Sequence, residues 1–141
     1  MQGFADVEWG NQLDRVPSDM DELADAWIRD DVAARRTDAG RDTDRPDFWA
    51  WEAADYLARH HPDGALSFIL AAIDRPISEE TRFSLAAGPL EDLLVHHGPS
   101  VIAEVERLAR QRPEFRNTLV GVWQNAMGED IWRRVSLAAG R

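Results

Sequence analysis

"LARHHPDGALSFILAAI" (residues 57–73) and "LLVHHGPSVIAEVERLA" (93–109) decide the fold when one is laid over the other. At an offset of 36 residues, Leu57 falls on Leu93, His60 and His61 on His96 and His97, Ala65 and Leu66 on Val101 and Ile102, and Ile69 on Val105. In both copies a helical stretch ends in His-His. A Pro or Gly turn follows, and a second amphipathic stretch begins. An offset near 36 between helix pairs is the period of an α-solenoid. "RP" also recurs, at Arg45-Pro46, Arg75-Pro76 and Arg112-Pro113, and two of these extend to "RPDF" and "RPEF".

Working outward, helix signals recur and no convincing strand is found. Ser18 reads as an N-cap with Asp21 three residues on. Met20, Leu23, Ala24, Trp27, Ile28 and Val32 then share one face of a helix over 19–36, with Asp21, Glu22, Asp25 and Arg29 opposite. The stretch 35–47 is polar and punctuated by Gly40 and Pro46, as an exposed loop would be. Helices are predicted over 47–60 and, apolar nearly all round, over the stretch after Pro62. Another begins at Ser78 and is broken or kinked at Gly88-Pro89, with Pro89 in the first turn of its successor. That successor runs to Gly98, and Pro99 opens the next. "EFRNTLVGVWQNAM" (114–127) and "EDIWRRVSLAA" (129–139) complete the chain. The expected fold is all-α: about eight helices in helical hairpins, a short HEAT- or armadillo-like α-solenoid. It forms one domain over 1–141, with an acidic helix and charged loop over 1–44 and a helical-repeat core over 45–141.

Composition narrows the function. The 141 residues, 44% of them apolar, suffice for one domain with a real core. No cysteine is present, which removes disulfides, thiolate nucleophiles and Cys-ligated zinc. All sixteen basic residues are Arg, so Schiff-base and P-loop lysine chemistry is excluded, and GC-rich coding in a bacterium is suggested. "MQGFADVEWG" lacks the basic and apolar regions of a secretory signal. The longest apolar run, "FILAAI" (68–73), is far too short for a bilayer. A cytoplasmic location without membrane contact is expected.

The net charge of −10 is uneven. Residues 1–31 carry −7, residues 32–99 carry −5, and residues 100–141 carry +2. Such a chain is repelled by phosphate backbones, so direct nucleic-acid binding is not expected. A basic protein partner is favoured, because an acidic surface steers it in.

The stretch "SLAAGPLEDLLVHHGPSVIAEVERLARQRPEFRNTLVGVW" (84–123) resembles a bacterial domain family of unknown function. The shared pattern is Ala-Gly-Pro-Leu-Glu-Asp/Glu-Leu-Leu, then His-Gly, an amphipathic helix, Pro-x-Phe and Gly-Val-Trp. "WEAADYL" (51–57) resembles the family's upstream Trp-Glu helix. The likeness covers roughly residues 45–135. It implies a small all-helical domain and brings no catalytic residues.

Candidate chemistry is sparse. Adjacent histidines on a helix do not share a face, so neither His60-His61 nor His96-His97 chelates one ion readily, and no HExxH spacing exists. A histidine in a last helical turn instead suits the helix dipole and bonds free carbonyls. Asp92 and His96, four apart, are placed to pair. Glu52, Asp55, Glu91 and Asp92 could serve a carboxylate and His-dependent hydrolase. Against that, Glu91 and Asp92 follow Pro89, where negative charge stabilises a helix start, and Asp55 can pair with Arg59. No GxSxG, GxGxxG or GxxxxGK[ST] motif is present, and no cofactor is implied.

Of the six tryptophans, Trp27 and Trp123 fall on apolar stripes and are expected in the core. Trp49 and Trp51 are two apart, so one helix face cannot bury both; an exposed one would be a protein-binding anchor. The leading expectation is a protein-binding module that presents Asp21, Glu22, Asp25, Trp49 and Trp51. Its concrete form is an immunity or antitoxin-type protein that neutralises a basic toxin. An adaptor or regulatory subunit and the hydrolase are the alternatives.

Overall fold

The computed structural model describes residues 19–36 and 45–141. Every regular element among them is helical. The N-cap expected at Ser18 and most of the 35–47 loop lie outside these residues. Helix α1 (Met20–Arg36) starts where the Asp19 carboxylate accepts from the Asp21 N–H at 2.9 Å. It buries Leu23, Ala24 and Trp27, and Trp27 meets Phe68 edge-on at 5.9 Å. Helices α2 (Phe48–His60) and α3 (Pro62–Ile73) follow, and α1 packs against both. Small residues on α2 (Ala50, Ala53, Ala54 and Ala58) are buried and let the three helices approach closely.

Pro62 stands at the first turn of α3, where a missing N–H costs nothing. His61 is the single residue between α2 and α3, at φ −141° and ψ 80°. His97 takes the matching role 36 residues on, at φ −136° and ψ 25°, and bends the helical run there. Leu57, Leu93, Ala65, Val101, Ile69 and Val105 are all buried, so burial repeats at the offset seen in the sequence.

The second half departs from the expected eight separate helices. Helix α4 (Glu79–Leu85) begins with Ser78 Oγ accepting from the Thr81 N–H at 3.1 Å. It runs into one π-helical turn, Ala86–Leu90, and on into α5 (Glu91–Gln111). Gly88-Pro89 therefore neither breaks the helix nor opens a new one. Pro89 has no N–H to give, and the wider turn absorbs this, with the Glu91 N–H reaching back to the Ala86 carbonyl. Helix α6 (Pro113–Leu119) stops well short of Met127. Residues 120–127 instead form turns, with Asn125 at φ +50°. Helix α7 (Glu129–Ala138) packs on α5.

The three Arg-Pro pairs have a common use. Arg45 binds the buried Asp30 through two bonds of 2.9 and 2.6 Å. Arg75 reaches Asp25 at 2.7 Å and Asp21 at 3.2 Å, and Arg112 pairs with Asp74. Each arginine sits at an element boundary and ties it to an acid on another part of the chain.

Candidate functional site

Two local features bring the "AAGPLED" and "GVW" motifs of the sequence face to face. The first is a close approach. An added Cβ at Gly121 would lie 2.9 Å from Ala86 Cβ, so only glycine lets the 120–122 turn rest on the π-helical turn. The second is Glu91, a buried carboxylate. It accepts from the Trp123 N–H and from Asn125 Nδ2, each at 3.0 Å. Glu91 thus fixes a loop more than 30 residues away. Arg141 adds a third tie. Its guanidinium donates to the Val120 carbonyl and, at 2.9 Å, to the Val122 carbonyl, and it lies 4.9 Å over the Trp132 ring.

Held this way, the 120–123 turn and α4 form the walls of a groove of about 460 Å³. Phe83, Ala86, Val120, Gly121, Trp123 and Trp132 supply the apolar lining, and Glu79, Arg82, Thr118 and Arg141 the polar part. Phe83, Val120 and Trp123 stand 57, 51 and 69% exposed at its rim. A hollow of about 540 Å³ lies between Pro99, Ile102, Ile131 and Arg134, but among the described residues no exposed large apolar side chain lines it.

Trp123 is thus a correction to the sequence reading, which put it in the core. Its stripe was extrapolated along a helix that in fact ends at Leu119. Phe83 was missed, although a signal existed: Thr81 and Leu85, four apart, form the buried side of α4, and Phe83 lies two residues from each. Glu91 is a second correction. It does not stabilise a helix start, because the helix is continuous through it, and its charge is spent on two donors of the 123–125 loop.

The other expected site residues are scattered. Asp21, Glu22, Asp25 and Arg29 do share the outer face of α1. Arg75 occupies Asp21 and Asp25, and its guanidinium holds the Asp25 carboxyl below the usual range. Arg29 binds Asp47 at 3.1 Å. Trp49 packs on the core, whereas Trp51 is exposed and stacks on Phe48 with ring centroids 5.6 Å apart.

Of the four carboxylates considered for catalysis, Glu52 is exposed and Glu91 faces the loop. Asp55 and Asp92 come within electrostatic range of one another across α2 and α5. Burial, then the Asp55 charge, pushes the Asp92 carboxyl above its usual range, against the pull of Arg59 and His96. Asp55 makes its i,i+4 pair with Arg59 at 3.2 Å. Neither carboxylate lines the clefts described above.

The histidines act at the helix junctions. His97 Nε2 lies 2.8 Å from the Arg59 carbonyl oxygen. Tyr56 packs on His60 and His61, at 4.6 and 5.8 Å between ring centroids, and burial pushes the His61 imidazole below its ordinary value. Among the described residues no three His, Asp or Glu side chains converge as metal ligands, and no helix is long and apolar enough to cross a membrane.

Residues 37–141 match the model of a family described as a family of unknown function, DUF6869, and the chain belongs to that family. The match includes both walls of the groove and the Glu91 tie, and begins after α1. Neither the curated proteins nor the solved structures gave a match.

Proposed function

We propose that this chain is a protein-binding module that uses the groove between α4 and the 120–123 turn as its apolar anchor site. One observation carries the reading: three large apolar side chains, each more than half exposed, border a single groove that the fold holds from three directions. Exposed Trp and Phe beside a groove match the chemistry of binding hot spots. The net charge of −10 favours a basic partner and speeds its approach. An immunity or antitoxin-type protein acting on a basic toxin is one form of this module, and an adaptor or regulatory subunit is another. Reading the helix pairs as a short HEAT-like array is supported by the burial that repeats at an offset of 36 residues.

The experiment is capture of host proteins with the wild-type chain, followed by binding measurements on the purified partner. Phe83→Ala and Trp123→Ala should each weaken binding by about 2 kcal/mol, roughly thirtyfold, with helicity retained. Association should slow as salt is raised. A basic partner that binds both variants at wild-type strength would remove the groove from the interaction.

A further inference from the structure

The groove contains one cation whose protein partners are poor. The Arg82 side chain is only 19% exposed. Among the described residues its one hydrogen bond, from Nη1 to Thr118 Oγ1, is 3.5 Å long. Its carboxylate neighbour there, Glu79, is 3.7 Å from Nε and belongs to a side chain that is 89% exposed. Arg45, Arg75 and Arg112 are covered to a similar degree, and each has a close carboxylate. A guanidinium offers five N–H donors in a planar fork suited to a carboxylate. In Arg82 that fork sits in the wall of an apolar groove with its capacity largely unused.

We propose that Arg82 is an anion subsite, and that the occupant of the groove is the C-terminal end of a basic protein chain. The terminal carboxylate pairs with Arg82 while the last apolar side chain packs among Phe83, Val120 and Trp123. This rests on the protein-binding reading and specifies its partner. Three arguments select the occupant. The rim residues are more than half exposed, so the groove is open and suits a chain end better than an enclosed small molecule. Glu79 stands beside Arg82 in a chain of net charge −10, which disfavours phosphate and polyanions but tolerates a single carboxylate. A basic partner is what the chain's field attracts, and every such partner carries one carboxylate at its end. Glu79 is almost fully exposed, so displacing it costs little.

The test is an array of synthetic decapeptides with Arg-rich bodies, varied last two residues and free carboxyl ends. Each peptide is duplicated as its C-terminal amide. Binding to the full chain is read by fluorescence polarisation, with 4-phenylbutyrate as a small-acid competitor. Free-acid peptides ending in an apolar residue should bind, and amidation should weaken them about tenfold, the loss expected for a charge-assisted bond. Arg82→Met keeps the side-chain stem, and it should bind acid and amide alike; circular dichroism checks that it is folded. Equal binding of acid and amide by the wild type overturns the proposal, as does an array with no binder. Tight binding of 4-phenylbutyrate with no peptide preference reassigns the subsite to small acids and also overturns it. If Trp123→Ala still abolishes capture of the native partner in those cases, the groove reading stands and only the chain-end occupant falls.

Discussion

His97 Nε2 donates to the carbonyl oxygen of Arg59 at 2.8 Å, so the histidine at one helix junction closes the end of the helix that leads into the other. A carbonyl only accepts, so the proton is on Nε2. Arg59 lies in the last turn of α2, where carbonyls lack partners within the helix. Two sites 38 residues apart are joined by one bond, and the bend at His97 is what aims the ring.

Replacing His97 with Ala should therefore cost about 1 kcal/mol, the net worth of one such bond. For a domain of this size that lowers Tm by about 3 °C. His96→Ala, on the exposed neighbour, should stay within about 0.5 kcal/mol. Thermal unfolding of the two variants gives the comparison; equal losses would show that the Arg59 contact contributes nothing.

Gly121→Ala pushes a methyl to 2.9 Å from Ala86 Cβ and should destabilise by about 1–3 kcal/mol through overpacking. Ala86→Gly removes the atom it strikes. The double variant should recover part of the loss, a coupling that a double-mutant cycle in urea would read. Strict additivity of the two changes would mean that the turn and the π-helical turn do not meet there.

Glu91→Ala leaves the Trp123 N–H and the Asn125 amide without their buried acceptor, at a cost of about 1–3 kcal/mol. The larger effect should fall on the groove, since the loop carrying Trp123 is released. Amide hydrogen exchange at Trp123 should rise in Glu91→Ala well beyond the rise at buried positions of α5 such as Val105. Unchanged protection at Trp123 would dismiss Glu91 as the loop's anchor.

Asp92 gives a pH signature. Its carboxyl is pushed up by burial and by Asp55, so the charged form is less favourable folded than unfolded. A raised acid penalises folding above its folded value, and the penalty disappears as pH falls below the ordinary carboxylate range. Asp92→Asn should accordingly be more stable than wild type at pH 7, and the gap should close near pH 3. A gap that is absent at pH 7, or that widens on acidification, would reverse the assignment.

How far the sequence could be read depended on the range of each signal. Pro62 and Gly98-Pro99, each next to a His pair and followed by a stripe of apolar residues at helical spacing, located the two junctions, and His61 and His97 are the non-helical residues there. Helix identity and the buried positions Met20, Leu23, Ala24 and Trp27 followed from periodicity, because a helix must bury one face whatever it packs against. Pro89 misled, since the same residue starts a helix or sits in a π-helical turn, and the choice depends on the neighbours that hold the turn.

The sequence by itself thus determined the helical character of the described residues, the two His-His junctions, and a likeness to a family of unknown function. Tertiary structure alone decided where side chains with no local obligation went. Glu91 found its donors 32 and 34 residues away, and Arg75 found Asp21 and Asp25 across some 50, whereas Arg82 has, among the described residues, only the exposed Glu79 at 3.7 Å. Trp123 became a surface residue because α6 ended four positions earlier. Hydrophobic periodicity is set by the geometry of one helix, whereas the partner of a charge or the exposure of a loop aromatic depends on which elements come to lie beside it, and no spacing along the chain encodes that.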